Sequence, residues 1–265
     1  MGDNERIRGL PIAEYHARDE LSKHDLDQIH RSVSHFLVNR IMPHEETTAM
    51  RMGSATHAMI LTPDEYEATY IHAPDVDRRT REGKDIWREF EEKARGKIII
   101  GEKDMLCAAA MADAVLNHPI ASRLLRDGEA ENSLFWKDKT SGIRCKCRPD
   151  YLRVDGLVVD LKTTADASEY AFLKSVLRYR YHVQAALYLA GVEAVEGKVD
   201  DFVIVAVEKE EPYAVAIYRL DEFFLADGKR LYEDALAKYA EYLNHPDPWA
   251  GYPKEIQELH LPGWA

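Results

Sequence analysis

Two aspartates and one lysine carry the chemistry that this sequence suggests first. Asp150 follows a proline, and after nine intervening residues comes Asp160-Leu161-Lys162. Adjacent carboxylates repel each other unless a proton or a cation lies between them, and hard divalent cations such as Mg²⁺ prefer oxygen ligands. A lysine beside them can hold an attacking water and offset charge on a phosphate. The set fits phosphodiester hydrolysis, and a plain surface Asp–Asp–Lys cluster fits the three residues equally well.

Strand patterns show how these residues can meet. Residues 143–153 alternate in polarity with period 2, which predicts one strand with an apolar face and a face of three cations leading to Asp150. Asp155-Gly156 predicts a tight turn into a second strand over 157–164. Asp160 and Lys162 share one face of that strand. We therefore expect Asp150 and Asp160 side by side, with Lys162 close to both. The cations of the first strand are Arg144, Lys146 and Arg148.

The rest of the chain predicts a mixed α/β fold with a helical part before a central sheet. A capping box at Ser22 predicts a helix over 22–40. We predict one domain over 1–265, mostly helical in 1–128 and containing the sheet in 129–245. Further helices are predicted at 48–61, after Thr62-Pro63, and at 79–95, 103–116, 166–178, 180–196 and 221–243. Further strands are predicted at 130–138, 201–209 and 213–219.

Composition limits the classes of protein that this chain can be. The 265 residues carry 46% hydrophobic and 31% charged residues, and no run approaches the roughly 18 apolar residues of a membrane span. The first residues lack a secretory signal, so we expect a cytoplasmic protein. A net charge of −12 argues against a nucleic-acid partner, but Lys and Arg cluster in 78–97 and 174–180. The three cysteines are expected to be reduced.

Five elements together resemble the PD-(D/E)xK nuclease superfamily, in its RecB-type branch, and most closely the exodeoxyribonuclease VIII (RecE-like) family. The resemblance implies a restriction-endonuclease-like core with a central mixed sheet flanked by helices. In chain order the elements are Gly53-Ser-Ala-Thr-His57, Glu131 on the strand before the motif, Pro149-Asp150, Asp160-Leu161-Lys162 and Gln184-Ala-Ala-Leu-Tyr188.

The resemblance also implies a role for each site residue. The implied catalytic residues are Asp150, Asp160, Lys162 and Glu131. The implied metal ligands are His57, Asp150, Asp160 and the carbonyl of Leu161, and the implied substrate-binding residues are Gln184, Tyr188, Arg148 and Thr163. The metal is expected to be Mg²⁺, with Mn²⁺ able to substitute because a histidine is a ligand. No cysteine follows Cys147, so we expect no iron–sulfur cluster.

Taken without the family, several of these residues have ordinary structural explanations. A lone histidine such as His57 on an apolar helix is more often part of a core. Gln184 and Tyr188 fit routine helix packing. Glu131 fits a second-metal ligand, a water-mediated ligand or a partner for Arg148.

The expected activity is digestion of double-stranded DNA from its ends, 5′ to 3′, leaving 3′ single strands for phage-type recombination. The same resemblance implies a single-strand annealing protein as partner and a ring-shaped homo-oligomer, for example a tetramer. No membrane association is expected. Two alternatives remain. One is a structure-specific, restriction-type or Cas4-like nuclease, and the other is a non-catalytic module that binds DNA ends.

Overall fold

The chain folds into a mixed α/β architecture, and a computed structural model describes residues 4–42, 47–247 and 251–260. This confirms the predicted fold class. The strands are β1 (Glu5–Ile7), β2 (Tyr70–His72), β3 (Ile98–Ile100), β4 (Gly128–Ala130), β5 (Ser133–Lys137), β6 (Arg144–Cys147), β7 (Tyr151–Arg153), β8 (Val158–Thr164), β9 (Phe202–Glu208) and β10 (Val215–Arg219). The helices are α1 (Ile12–Ala17), α2 (Lys23–Arg31), α3 (Val33–Ile41), α4 (Thr48–Leu61), α5 (Pro63–Thr69), α6 (Arg81–Lys93), α7 (Glu102–Asn117), α8 (Ala121–Leu124), α9 (Glu169–Arg178), α10 (Tyr181–Glu196) and α11 (Glu222–Asn244).

A five-stranded mixed sheet lies at the centre, with strand order β10-β9-β8-β7-β4. β8 and β9 are parallel, while the other neighbours in this sheet are antiparallel. The parallel pair requires a crossover between its strands, and α9 and α10 supply that crossover. Two smaller sheets accompany it, β1-β5-β6 and the parallel pair β2-β3.

Strand β8 is covered on both faces, so its alternating side chains enter two different cores. Val158 belongs to the larger core, which also contains residues of α2, α10 and α11. Val159 and Leu161 belong to a second core, formed with Met111 and Val115 of α7. Because side chains alternate along a strand, the side chains of Asp160 and Lys162 project from the face of the larger core. The prediction that these two residues share a face, opposite Leu161, is confirmed.

The prediction of one continuous strand over 143–153 is wrong. β6 ends at Cys147 and pairs with β5, whereas β7 begins at Tyr151 and pairs with β8 and β4. The chain passes from one sheet to the other between them, at Pro149, which has no N–H to donate to a ladder. The expected three-stranded meander is therefore divided between two sheets. The Asp155-Gly156 turn is confirmed, since β7 and β8 are antiparallel and Gly156 has a φ of 95°.

The cations of β6 do not form a face that leads to Asp150. Lys146 is buried, and its Nζ donates to the carbonyl oxygens of Tyr15 at 2.8 Å and Arg18 at 2.7 Å. Arg144 donates to the carboxylate of Glu20 at 3.2 Å. Both cations hold the N-terminal segment against β6, a contact that no period-2 pattern can reveal.

Two further predicted elements are interrupted. The predicted helix over 22–40 is divided at Ser32, whose extended backbone ends α2 and whose side chain accepts the N–H of His35 to cap α3. The predicted strand over 130–138 is divided at Glu131, which has a positive φ of 54°. Glu131 therefore lies between β4 and β5 and not on a strand.

The other predicted helices and strands are present with ends shifted by a few residues, and the capping box at Ser22 is confirmed. The pattern did not predict the short elements β1, β2, β3, α1 and α8. The single domain over 1–265, divided near residue 128, stays a prediction. The described part of the chain contains no helix that is long and apolar enough to cross a membrane.

Candidate active site

Asp160 lies in the middle of β8 and is almost fully buried, with 1% of its surface exposed. Two side chains hold its carboxylate. Gln184 of α10 donates its Nε2–H to Oδ1 at 2.6 Å, and the Nζ of Lys162 lies 2.5 Å from Oδ2. The parallel crossover places α10 over this face of β8, so the Gln184 contact follows from the topology.

Asp150 lies just before β7 and is tied to the neighbouring strand. Its Oδ2 accepts the backbone N–H of Leu161 at 2.6 Å. This hydrogen bond joins the two halves of the predicted motif across the β7–β8 hairpin. It also leaves Oδ1 of Asp150 available to a further partner.

His57 reaches the same place from α4, and the Nδ1 of its ring lies 3.6 Å from Oδ2 of Asp150. One turn earlier on that helix is Gly53, where a Cβ would lie 3.6 Å from the Oγ1 of Thr163. That is ordinary contact distance, so α4 packs directly on β8 without requiring glycine there.

Glu131 completes a group of three candidate ligands. One donor atom from each of His57, Glu131 and Asp150 lies within 4.8 Å of the other two. The positive φ of Glu131 turns its side chain out of the strand path between β4 and β5. The Oε2 of Glu131 is 3.6 Å from the Nε of Arg148, so it also has the alternative partner that the sequence suggested. We refer to His57, Glu131 and Asp150 as the ligand trio.

The carboxylates of the site resist ionisation. Burial, and then the charge of Asp150, raises the pKa of Glu131 to about 8. Burial also raises the pKa of Asp150, although Lys162 and the Leu161 N–H oppose it, and it raises the pKa of Asp160 to about 6. Clustered acids behave in this way when the positive charge around them is insufficient. A divalent cation would correct that shortage.

The two basic groups of the site differ in charge at neutral pH. Burial, and then the charge of Lys162, lowers the pKa of His57 to about 4. The imidazole is therefore neutral, which is the form that binds metals. Burial alone would lower the pKa of Lys162, but Asp160 and Asp150 together raise it. The lysine therefore stays protonated.

Of the four predicted metal-ligating residues, the structure brings His57 and Asp150 together, and Glu131 joins them. Leu161 contacts Asp150 through its backbone N–H, so the role of its carbonyl as a ligand stays a prediction. Asp160 is adjacent through Lys162, but its two oxygens are already held by Lys162 and Gln184. Its role as a ligand stays a prediction.

The predicted substrate-binding residues lie in different surroundings. Gln184 is buried against Asp160. Tyr188 packs edge-on against the ring of Phe202, at 6.2 Å between centroids. The guanidinium of Arg148 donates to the carbonyl oxygens of Glu131 and Leu10. Contact of these side chains with DNA stays a prediction, as does that of the partly buried Thr163.

One aromatic residue at the site was missed by sequence reasoning. The Nζ of Lys162 lies 4.9 Å from the ring centroid of Tyr181, the first residue of α10. Cation–π contact with a tyrosine holds an ammonium in place without neutralising it. The available signal was the spacing from Gln184, because residues three apart on a helix share a face.

Fold and site together define a class of protein, the PDDEXK-like nuclease domains. The chain belongs to the PDDEXK-like domain family of unknown function DUF3799, whose sequence profile matches residues 23–252. No curated protein matches the chain. The narrower resemblance to exodeoxyribonuclease VIII is not confirmed by this family and stays a prediction.

Several solved structures are similar to this chain, and two are compared with it below. The crystal structure of a "Putative exonuclease" from Eubacterium rectale has a TM-score of 0.62 at 13% sequence identity, with 96% of this chain and 97% of that chain covered. At that identity the likeness shows the fold alone. The structure of SSO0001 has a TM-score of 0.32 at 16% identity, covering 78% of this chain and 98% of that chain. A TM-score of 0.32 is too low to indicate a shared fold.

Proposed function

We propose that this protein is a divalent-cation-dependent exodeoxyribonuclease that hydrolyses double-stranded DNA from its ends. The observation that carries the proposal is the ligand trio beside a protonated Lys162, with the donor atoms of the trio within 4.8 Å of one another. The family places the chain among PDDEXK-like domains, and the structure with TM-score 0.62 bears the name of an exonuclease.

The donor chemistry of the site fits a hard divalent cation. Two carboxylates and a neutral imidazole would hold it, and a bound cation would oppose the burial and the Asp150 charge that raise the pKa of Glu131. We propose Mg²⁺, with Mn²⁺ able to substitute because imidazole nitrogen suits transition metals. Such an ion activates water and stabilises charge on the phosphate.

The chain's own residues would then orient the reactants. Lys162 is held from two sides, by the carboxylate of Asp160 and by the ring of Tyr181. Because its amine stays protonated, it donates to a water or to a phosphate oxygen and does not act as a base. Gln184 fixes Asp160, and through it the position of Lys162. Gln184 is thus a positioning residue.

The direction of digestion and the assembly are finer parts of the proposal. We propose 5′-to-3′ digestion that leaves a 3′ single strand for an annealing protein, in a ring-shaped oligomer, as the RecE-like resemblance implies. Local clusters of basic residues make such an assembly compatible with a net charge of −12.

Labelled DNA tests the proposal directly. Linear duplexes carrying a label at the 5′ or the 3′ end, and a covalently closed circle, are incubated with protein in Mg²⁺ or in EDTA. We expect digestion of the linear DNA in Mg²⁺ with early release of the 5′ label, and an intact circle. A cut circle would instead identify an endonuclease, and binding of ends without digestion in Mg²⁺ would identify a non-catalytic module.

A further inference from the structure

The outer face of α9 carries three large apolar side chains that are exposed. α9 is anchored by Phe172 and Val176, each 2% exposed. On the opposite side Tyr170 is 71% exposed, Leu173 42% and Leu177 53%. Exposed apolar surface of this kind, lying next to a candidate active site, is typical of a binding surface.

Exposed cations lie among these apolar side chains. The Nζ of Lys174 is 4.0 Å from the ring centroid of Tyr170, and the Cζ of Arg178 is 5.4 Å from that of Tyr179. Within residues 4–42, 47–247 and 251–260, neither Lys174 nor Arg178 forms an ion pair with a carboxylate. Their charges are therefore available to an anionic ligand.

The same surface continues to the catalytic lysine. Tyr179 is 48% exposed and stacks on Tyr181, with 5.7 Å between ring centroids and 26° between planes. Tyr181 in turn lies over the ammonium of Lys162 at 4.9 Å. The Nζ of Lys23 donates to the carbonyl oxygen of Tyr179 at 2.6 Å, which holds this segment against α2. We call Tyr170, Lys174, Arg178, Tyr179 and Tyr181 the α9 track.

Exposed aromatic rings with cations beside them match one class of ligand, an unpaired nucleic-acid strand. Tyrosine rings bind bases by stacking, and cations beside them bind the phosphates. Bases inside a duplex are covered by their neighbours, so only an unpaired strand can stack successive bases on several such rings. In a two-fold symmetric pair, a second copy of this chain would present its own cations to Lys174 and Arg178, which disfavours that occupant.

We propose that the α9 track binds single-stranded DNA and guides the strand to or from the ligand trio. The inference rests on the proposed function, because it concerns the strand that the same site cuts or releases. The track separates one strand of a DNA end from its complement by offering stacking partners to unpaired bases alone.

The test measures DNA binding without cleavage. Fluorescence anisotropy in EDTA compares a labelled oligothymidylate with a blunt duplex of equal length. We expect Tyr179→Ala to weaken oligothymidylate binding about tenfold, and Tyr170→Ala about fivefold, since stacking on one ring contributes that much affinity. Duplex binding should change less than twofold, and Tyr179→Phe should retain wild-type affinity. Tyr252→Ala is the matched control, because Tyr252 is 63% exposed and lies outside the track.

Salt dependence provides an independent measurement. Lys174→Ala and Arg178→Ala should each reduce the slope of log affinity against log salt by about 0.7, as expected for one lost phosphate contact on a single strand. Lys198→Ala, an exposed lysine outside the track, should leave the slope unchanged.

The outcomes separate this inference from the proposed function. If Tyr179→Ala and Arg178→Ala bind oligothymidylate as the wild type does, with the same salt slope, the inference is overturned even if the enzyme cuts linear DNA. If these variants lose binding while the wild type cuts nothing in Mg²⁺, the proposed function is wrong, but binding of single-stranded DNA by the α9 track is supported. A change in sedimentation of Tyr170→Ala with unchanged DNA affinity would identify a self-association face and overturn the inference.

Discussion

Two regions of this molecule contain clustered carboxylates whose pKa values are shifted in opposite directions. Glu20 lies in the first, near the N-terminus, where its oxygens accept from Arg18 at 2.9 Å and from Arg144 at 3.2 Å. Burial opposes its ionisation, but these arginines outweigh burial and lower the pKa of Glu20 to about 2. In the ligand trio, burial raises the pKa of Glu131 to about 8. We call Glu20 and its two arginines the Glu20 cluster.

The difference lies in whether the protein supplies the counter-charge. The Glu20 cluster surrounds one carboxylate with two guanidinium groups, so the negative charge of Glu20 is compensated within the fold. At the candidate active site, Lys162 faces the carboxylates of Asp150 and Asp160, with Glu131 close by, and His57 is neutral. A cluster that stays short of positive charge favours the binding of a cation from solution. The first region stabilises the fold, and the second is suited to chemistry.

The largest expected effect is loss of cleavage on removal of one carboxylate of the trio. Asp150→Asn keeps an oxygen for the Leu161 N–H but removes a charged ligand. We expect the rate of end-labelled duplex digestion in Mg²⁺ to fall about a thousandfold, equivalent to about 4 kcal/mol. The unfolding temperature in EDTA should not decrease, because a neutral amide replaces an acid that resists ionisation. Asp113→Asn, an exposed aspartate on α7, is the control. If Asp150→Asn digests DNA at the wild-type rate, Asp150 has no role in catalysis.

Next in size is the contribution of the Glu20 cluster to stability. Glu20→Gln should lower the free energy of unfolding at pH 7 by about 2 kcal/mol, less than the full pKa difference implies because solvent screens part of it. The folded pKa of about 2 lies below the ordinary value of 4.5. The stabilisation is therefore fully present above about pH 4.5 and is lost as the pH falls towards 2.

Urea titrations of both proteins across this pH range measure the effect. The wild-type and Glu20→Gln curves should converge as the medium is acidified. Asp19→Asn is the matched control, since the adjacent Asp19 is fully exposed and pairs with Arg40 only at 3.4 Å. Its stability should change by less than about 0.5 kcal/mol. If the free energies of unfolding of the wild type and Glu20→Gln differed by a constant amount down to acid pH, the arginines would not be lowering the pKa of Glu20.

Cation binding should stabilise the protein through the trio. Mg²⁺ or Mn²⁺ at about ten times its dissociation constant should raise the free energy of unfolding by about 1.4 kcal/mol. The unfolding temperature should rise by about 3–5 °C. The increment should grow as the pH rises through about 8, because Glu131 must lose its proton to become a ligand. Glu131→Gln should reduce the increment, whereas Glu129→Gln, two residues earlier and paired with Arg6, should not. An equal increment in all three proteins would place the cation elsewhere.

The smallest expected effect concerns DNA affinity in the absence of metal. Asp160→Asn removes one negative charge beside Lys162 and keeps an oxygen for Gln184. We expect about fivefold tighter binding of duplex ends in EDTA, from about 1 kcal/mol less repulsion, together with loss of cutting when Mg²⁺ is restored. A titration of labelled duplex with each protein measures both. Unchanged affinity and unchanged cutting would show that Asp160 lies outside the site.

Much of the local structure could be predicted from residue patterns. β8 follows from its apolar alternation, the hairpin from Asp155-Gly156, and α4 from a regular helical pattern that begins after Thr47. These patterns involve residues at most four positions apart, so they can be recognised in the sequence without knowledge of the fold. They were enough to place Asp160 and Lys162 on one face and to bring Asp150 to the adjacent strand.

The points at which a predicted strand is interrupted could not be predicted in the same way. The polarity of residues 143–153 continues without a break, yet Pro149 marks the passage from one sheet to another. The alternation predicts a solvent-exposed side chain for Lys146. Lys146 is buried instead, because its Nζ donates to the carbonyl oxygens of Tyr15 and Arg18. Such partners lie far away along the chain, and no local pattern contains them.

The candidate site shows the same division. The amino-acid order alone specifies which donor groups exist and on which strand face Asp160 and Lys162 lie. Only the folded chain decides that His57, Glu131 and Asp150 come within 4.8 Å of one another, since they belong to a helix, a turn and a strand boundary. It also decides their protonation, because burial and neighbouring charges set the pKa of each group. Ligand types are a property of the sequence, whereas distance and local dielectric are properties of the packed structure.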